Sequence, residues 1–188
     1  PRASHPVFMG PIISEGSRRA VLEFQATAAR AGGEVLVTSS AIDTAEGGWY
    51  LTPGVIRVER FILDGDSPGR DEEVFGPLLR ISVVDSLDEA LEQANATRFG
   101  LAASIFTRDE SAIEQFLGRA RAGCINVNTG TAGASSKLPF GGLGRSGNHR
   151  PAGAFSLDYC AYPVAGMIES GNAAQVVPGM RFDDGWLR

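Results

Sequence analysis

The first clear pattern along the chain is a helical one. Three apolar residues, Val21, Phe24 and Ala28, fall at positions i, i+3 and i+7, a spacing that places them on one face of an α-helix. Ser14 can cap the start of this helix, and two consecutive glycines after it can end it. We therefore predict a helix over residues 14–30 with one buried face.

Short runs of aliphatic and β-branched residues predict strands further along. They span residues 34–38, 50–58, 78–84, 101–107 and 123–128. A proline within the second run assigns its first part to a sheet edge or outside the ladder. The third run, LLRISVV, is typical of a strand that is buried on both faces of a parallel sheet.

Helices are predicted between the later strands. Ser86 and Glu89 form a capping box ahead of one helix, and Thr107 and Glu110 form another ahead of the next. The second of these helices is expected to bury four apolar residues, which are Ile113, Phe116, Leu117 and Ala120. Strands that alternate with helices over short connections predict an α/β fold with a mostly parallel sheet and flanking helices.

The last third of the chain divides into three parts. Residues 129–147 are rich in Gly, Ala, Ser and Thr and have no period, which indicates a long ordered loop of the kind that often carries function. Residues 157–167, LDYCAYPVAGM, predict another strand, and the tail from residue 169 onward is expected to be irregular.

Charge and composition limit the partners that the protein can have. Lys and Arg number 17 and Asp and Glu number 22, so the net charge is −5, and no basic cluster is present to favour nucleic acid or anionic membrane. No apolar run approaches the roughly 20 residues that span a bilayer. Two cysteines in 188 residues favour a reducing compartment, by default the cytoplasm. We expect small molecules or other protein chains as partners.

Several possible chemical motifs have simpler explanations. Residues 142–147 match G-x-G-x-x-G, but no strand precedes them and no helix start follows to hold a pyrophosphate, so we interpret them as a glycine-rich turn. Cys124 has no sequence relation to His5 or His149, which could activate it, so we expect a buried structural thiol there and also at Cys160. The two cysteines and two histidines are scattered along the chain, so they do not have the spacing of metal ligands.

The acidic segment RDEEVFGP at residues 70–77 stands just before a predicted strand. It places three consecutive carboxylates at one end of the sheet, a neighbourhood in which α/β proteins hold ligands. Taken alone, its local chemistry favours a solvated acidic turn.

Five motifs in order resemble the C-terminal part of the NAD(P)-dependent aldehyde dehydrogenase superfamily. They are MGPIIS at 9–14, EEVFGP at 72–77, NATRFGLAA at 95–103, AGCINVN at 122–128 and PFGG at 139–142. Within the superfamily, the segments GASS at 133–136, SGNHRP at 146–151 and DYCAYPV at 158–164 are similar to the subgroup that oxidises succinylglutamate semialdehyde in arginine catabolism. The resemblance extends from residue 8 to about residue 168.

The resemblance implies roles for five residues. Glu73 would hold the nicotinamide ribose hydroxyls of NAD, with NADP left open, and the Phe75 ring would pack beside the same ribose. A vicinal diol offers two donors that one carboxylate can accept together. Ser135 and Ser136 would contact the far end of the aldehyde, and Phe140 would line the apolar part of its tunnel.

The resemblance also implies what lies elsewhere. In the superfamily the nucleophilic cysteine, the general-base glutamate and the oxyanion-binding asparagine precede the element that begins here at Gly10, and the sequence starts at Pro1 without Met. We therefore expect no catalytic residue in this chain and no activity from it alone. Residues 1–156 would be part of a catalytic domain, residues 157–168 the strand of a homo-oligomer, and residues 169–188 an irregular tail.

Two alternatives differ in class from this interpretation. The chain could be a standalone, non-catalytic module that acts by oligomerisation through residues 157–167. A cysteine hydrolase that uses Cys124 and His149 is the third and weaker hypothesis, and it requires a thiol that reacts faster than a free one.

Overall fold

A computed structural model describes residues 9–45, 47–133, 135–168, 170–171, 178–179, 181 and 185 of the chain. The α-helices within these ranges are α1 (Glu15–Arg30), α2 (Leu87–Asn95), α3 (Glu110–Arg119) and α4 (Ser156–Cys160), and one turn of 3-10 helix spans Gly144–Ser146. The strands are β1 (Glu34–Val37), β2 (Ala41–Ile42), β3 (Tyr50–Leu51), β4 (Gly54–Arg57), β5 (Leu78–Ile81), β6 (Ala102–Ile105), β7 (Cys124–Val127), β8 (Pro139–Phe140) and β9 (Ala152–Gly153). None of the described helices is long and apolar enough to cross a membrane.

The strands pair in both directions. β4 runs parallel to β5 and β6 runs parallel to β7, whereas β1 joins β4 antiparallel to give the sheet order β1-β4-β5. β2 with β3 and β8 with β9 form antiparallel pairs. Pro53, which has no N–H for a ladder, separates β3 from β4, so the run at 50–58 forms two strands. The α/β prediction is confirmed, but the strand pairs of the described residues are not mostly parallel as predicted, since two are parallel and three are antiparallel.

Helix α1 forms as its apolar spacing predicts. The Ser14 side chain accepts a hydrogen bond from the Ser17 N–H at 3.1 Å and so satisfies one of the free donors of the first turn. Val21, Phe24 and Ala28 are all buried. Phe24 and Ala28 pack with residues of β4 and its continuation, and the cluster that they form is Phe24, Ala28, Ile56 and Val58.

Of the two capping boxes predicted from the sequence, one supplies the observed cap and the other does not. Ser86 caps α2 and accepts from the Glu89 N–H at 3.2 Å, as predicted. The predicted box of Thr107 and Glu110 is wrong, because Asp109 caps α3 and accepts from two N–H groups of its first turn. Asp109 directly precedes the helix, whereas Thr107 lies a further two residues back and caps only the Asp109 N–H.

Burial of the apolar runs is less complete than predicted. Leu79 and Val83 are 57% and 68% exposed, so the run at 78–84 is not buried on both faces. The reason is that the core cluster with α1 takes up the face of this sheet that carries Ile56 and Leu78. In α3 only Phe116 is fully buried, and Leu117, one residue or about 100° further around the helix, is 53% exposed.

The C-terminal segment differs from its prediction. Residues 156–160 form helix α4 rather than a strand, and the Asp158 N–H bonds to the Phe155 carbonyl at 3.1 Å. Residues 161–168 join no sheet within the described part of the chain. A strand needs a neighbour for its backbone groups, and no such neighbour stands beside this segment within those residues. Most of the predicted irregular tail, residues 169–188, lies outside the described residues.

Candidate functional site

Glu73 and Phe75 project outward from the loop that precedes β5. Val74 between them packs against the core cluster, so the two side chains that flank it are exposed, Phe75 to 74%. Within the described residues, the Glu73 carboxylate forms no hydrogen bond or ion pair. A carboxylate without a protein partner beside an exposed aromatic ring fits the hydroxyls and the flat face of a nucleoside.

The same loop is fastened through Asp71. Its carboxylate is only 5% exposed and accepts from the Thr97 hydroxyl at 2.5 Å and from the Arg98 N–H at 2.8 Å. These two bonds connect the acidic loop, which comprises residues 68–77, to the segment that follows α2. Asp71 is therefore held by structural contacts, whereas Glu73, two residues later, has no such partner among the described residues.

Two arginines have shifted pKa values in this region. Burial lowers the pKa of Arg80, and the nearby carboxylates of Glu72 and Asp71 oppose that shift. A hydrogen bond to Asp64 raises the pKa of Arg98. No local sequence signal identifies Arg80 or the role of Asp71, because both act on residues that only the fold brings near them.

The acidic loop lies at the amino end of the parallel β4–β5 pair. Gly54 of β4 faces Leu78 of β5, and the loop enters at the Leu78 end. Ligands of α/β sheets usually lie at the carboxyl ends of parallel strands. The expectation that a ligand lies at the end of a parallel sheet therefore does not support Glu73. The hypothesis that Glu73 and Phe75 bind a cofactor depends on their exposure alone.

A pocket of about 430 Å³ opens beside β7 and the loop that follows it. Ser135 and Phe140 line it, whereas Ser136 is not among the described residues of its wall. Ser135 also accepts a hydrogen bond from the Lys137 N–H at 3.2 Å, and Phe140 lies in β8. The structure thus brings together two of the three predicted substrate residues.

Side chains of β6 and β7 hold the start of the loop that forms this pocket. The Asn126 amide donates to the Gly130 carbonyl at 3.1 Å, and the Ser104 hydroxyl donates to the Thr129 carbonyl. Both carbonyls belong to the loop directly after β7. The pocket therefore runs along β7, from Gly123 at the amino end of the strand to the loop after its carboxyl end.

Cys124 differs from its prediction because it is half-buried and lines the pocket. Its predicted role as a buried structural thiol is wrong, since no other described element covers this stretch of β7 and Cys124 lines the pocket together with Ile125 and Asn126. The described residues of the wall include no charged side chain and no histidine. No base there could activate the thiol, which argues against a cysteine hydrolase. Cys160 is also not buried, because it ends the short helix α4 on the surface.

The glycine-rich turn at residues 142–147 packs on the segment before β6. The Leu143 N–H bonds to the Gly100 carbonyl at 2.9 Å and the Arg145 N–H bonds to the Arg98 carbonyl at 2.8 Å. Gly144 has a φ of +55°, and a Cβ there would lie 2.1 Å from the Arg98 carbonyl oxygen. The glycines thus serve close backbone packing, as the sequence predicts.

Comparisons with known proteins agree with the motifs. N-succinylglutamate 5-semialdehyde dehydrogenase 1 of Caulobacter vibrioides is 44% identical over 167 residues, which are 89% of this chain and 34% of that protein. The Escherichia coli N-succinylglutamate 5-semialdehyde dehydrogenase is 40% identical over 184 residues, which are 96% of this chain and 36% of that protein. The chain therefore spans about a third of the length of the curated relatives that it matches.

Solved structures and a family model give the same result. A Mycobacterium tuberculosis aldehyde dehydrogenase complexed with NAD+ superimposes with a TM-score of 0.67 at 27% identity, over 80% of this chain and 30% of that one. The model of the aldehyde dehydrogenase family matches residues 2–163. The chain belongs to the aldehyde dehydrogenase family, an oxidoreductase family, and its curated relatives at 40–44% identity are succinylglutamate semialdehyde dehydrogenases.

Proposed function

We propose that this chain provides the nicotinamide-facing loop and part of the aldehyde pocket of an enzyme that oxidises N-succinylglutamate 5-semialdehyde to N-succinylglutamate. The observation that carries the proposal is the outward pair Glu73 and Phe75, held on either side of the buried Val74 in a chain of this family. The identity of the relatives supports the choice of substrate.

Glu73 and Phe75 are the residues that would hold the cofactor. The Glu73 carboxylate accepts hydrogen bonds from both hydroxyls of the nicotinamide ribose, and the Phe75 ring covers an apolar side of the same sugar. NAD, when bound, supplies the acceptor for the hydride that leaves the substrate. Fixing the ribose at two points orients the nicotinamide, and orientation is a large part of the rate of such a transfer. The proposal covers NAD and NADP alike, since neither residue meets the adenosine ribose.

The pocket beside β7 is the proposed place for the aldehyde chain. Phe140 offers an apolar wall for the methylene groups, and the Ser135 hydroxyl offers a donor for a carboxylate. Ser136, next along the loop, is exposed and is proposed to reach the far end of the same substrate. The described residues of the wall include no cationic side chain. A carboxylate of the substrate would therefore be bound by hydrogen bonds from the hydroxyl and amide groups of the wall.

The catalytic thiol, the general base and the oxyanion donor are proposed to lie outside this chain. Cys124 lacks a base in its pocket and Cys160 ends a surface helix, so neither is offered as the nucleophile. The chain alone is therefore proposed to be inactive. No residue of this chain is assigned to the bond-breaking steps.

Assembly into a homo-oligomer in the cytoplasm belongs to the same proposal. Residues 161–168 carry several large apolar side chains with almost full exposure, among them Tyr162 at 89%, Val164 at 83% and Met167 at 99%. Apolar surface of this kind is typically covered by another chain. A standalone module that acts only by association is the second candidate, and the same exposed segment favours it.

A chimera separates the two candidates. This chain replaces the matching third of the Caulobacter vibrioides relative, and NADH absorbance is followed with succinylglutamate semialdehyde and NAD. We expect sustained turnover by the chimera and none by the chain alone. A folded chimera that binds NAD and does not turn over would contradict the enzyme proposal, and turnover by the chain alone would contradict the position assigned to the catalytic residues. The unaltered relative serves as the control.

A further inference from the structure

The Arg80 side chain extends from β5 to the backbone of the acidic loop. It donates to the carbonyls of Arg70 at 2.6 Å, Glu72 at 2.7 Å and Pro68 at 3.3 Å. One side chain thus binds three alternate carbonyls just before Glu73. Hydrogen bonds from a charged donor are about twice as strong as neutral ones.

The surroundings of Arg80 suit an arginine and no other residue. Its guanidinium lies over the rings of Phe24 at 5.2 Å and Phe61 at 5.5 Å, both of which belong to the core or pack against it. A planar guanidinium can stack on rings and donate from its edge at the same time. A lysine ammonium is a point charge and lacks the planar fork of donors that a guanidinium has.

Further contacts hold the rest of the acidic loop. The buried carboxylate of Asp71 binds the segment after α2, Val74 packs on the core, and Gly76 stands against Val21 of α1. Residues 68–72 all take part in such contacts, and every residue from 68 to 77 except two is at least partly buried. Glu73 and Phe75 are the two that remain outward.

We propose that Arg80 is a positioning residue that fixes the acidic loop so that Glu73 and Phe75 face the nicotinamide ribose. This inference rests on the proposed function for its cofactor part. Arg80 itself touches no substrate or cofactor in this account. Its effect on the cofactor passes through the backbone that it holds, and Asp71 assists it by binding the segment after α2.

Hydrogen exchange on the 188-residue chain tests the positioning directly. In Arg80→Met, amides of residues 69–75 are expected to exchange about tenfold faster or more, because charged hydrogen bonds that hold the loop are lost. Arg80→Lys keeps the charge and is expected to fall between wild type and Met. Arg57→Met is the matched control, since Arg57 lies on the neighbouring strand β4 and its guanidinium is 3.8 Å from Glu34, away from the loop.

Unchanged hydrogen exchange at residues 69–75 in Arg80→Met would overturn the proposal. Equal acceleration at residues 69–75 and in the distant strand β6 would also overturn it, because it would indicate global destabilisation. If Arg80→Met fails to fold, Arg80→Lys and Asp71→Asn carry the test by the same criterion. Both variants are expected to loosen the loop and leave β6 protected.

Kinetics of the chimera then test the cofactor part. Arg80→Met is expected to raise KM for NAD about tenfold with a smaller change in kcat, since the loop must be ordered before it can bind. A looser loop with unchanged KM would overturn the link to the cofactor and also the contact proposed for Glu73. If the chimera with wild-type Arg80 is inactive, the proposed function fails, and the exchange experiment still decides whether Arg80 holds the loop.

Discussion

Replacing Gly76 with alanine gives a sharp test of how the acidic loop packs. A Cβ at Gly76 would lie 2.4 Å from Cγ2 of Val21, a side chain that is 0% exposed. Carbon atoms in contact stand about 3.5–4.0 Å apart, so the new methyl group is more than 1 Å too close. Overpacking of this size costs about 1–3 kcal/mol, because Val21 or the loop must shift. For a chain of this length we expect Tm to fall by about 2–12 °C.

The assay is thermal and urea unfolding of Gly76→Ala against a matched glycine. Gly118 of α3 has no atom within 4 Å of its added Cβ, so Gly118→Ala should stabilise the helix by about 0.5–1 kcal/mol. The two identical substitutions are thus expected to have opposite signs. Adding Val21→Ala to Gly76→Ala should cost less than Val21→Ala costs the wild type, since the space is then filled. Equal stability of Gly76→Ala and wild type would refute the packing described for the loop.

Two further predictions concern α3 and the cysteines. Asp109→Ala should lower the free energy of unfolding by about 1 kcal/mol through loss of the cap, as measured by urea titration. Glu110→Ala should change this free energy by much less. A larger loss for Glu110→Ala than for Asp109→Ala would support the capping box that the sequence predicts. Iodoacetamide should label the exposed Cys160 before the half-buried Cys124, as followed by mass spectrometry of tryptic peptides; faster labelling at Cys124 would indicate an activated thiol and revive the hydrolase hypothesis.

Local patterns predicted the local elements of the fold. The spacing of Val21, Phe24 and Ala28 and the caps Ser14 and Ser86 depend only on residues within one or two turns, and both helices form where expected. Except for the run at 157–167, the predicted strand runs also contain strands within a few residues of their predicted bounds. Periodicity carried these predictions because it depends on short-range geometry.

The errors arise where a distant or missing neighbour decides the structure. Residues 157–160 have strand-like composition, but within the described residues no strand stands beside them, so the backbone bonds to itself in α4. Leu117 has helical spacing, but no described layer covers it. Apolar spacing shows which face can be buried, and it cannot show what will cover that face.

The candidate site also contains some residues that sequence motifs identify and others that only the fold identifies. The family motifs identified Glu73 and Phe75, and the structure adds the reason for their direction, which is the burial of Val74 between them. Arg80 could not be found from sequence, because the carbonyls that it binds lie eight to twelve residues away and have no side-chain signature. Cys124 was misassigned because burial of a strand face depends on what stands opposite it.

The proposed cofactor site depends on the contact between Glu73 and the nicotinamide ribose. The most direct measurement is KM for NAD in the chimera with Glu73→Gln, set against Glu59→Gln, which changes another exposed carboxylate in the same way. Loss of charged hydrogen bonds worth about 1.5–3 kcal/mol predicts a rise in KM of about ten- to a hundredfold for Glu73→Gln alone. An unchanged KM in a folded and active Glu73→Gln chimera would contradict the account.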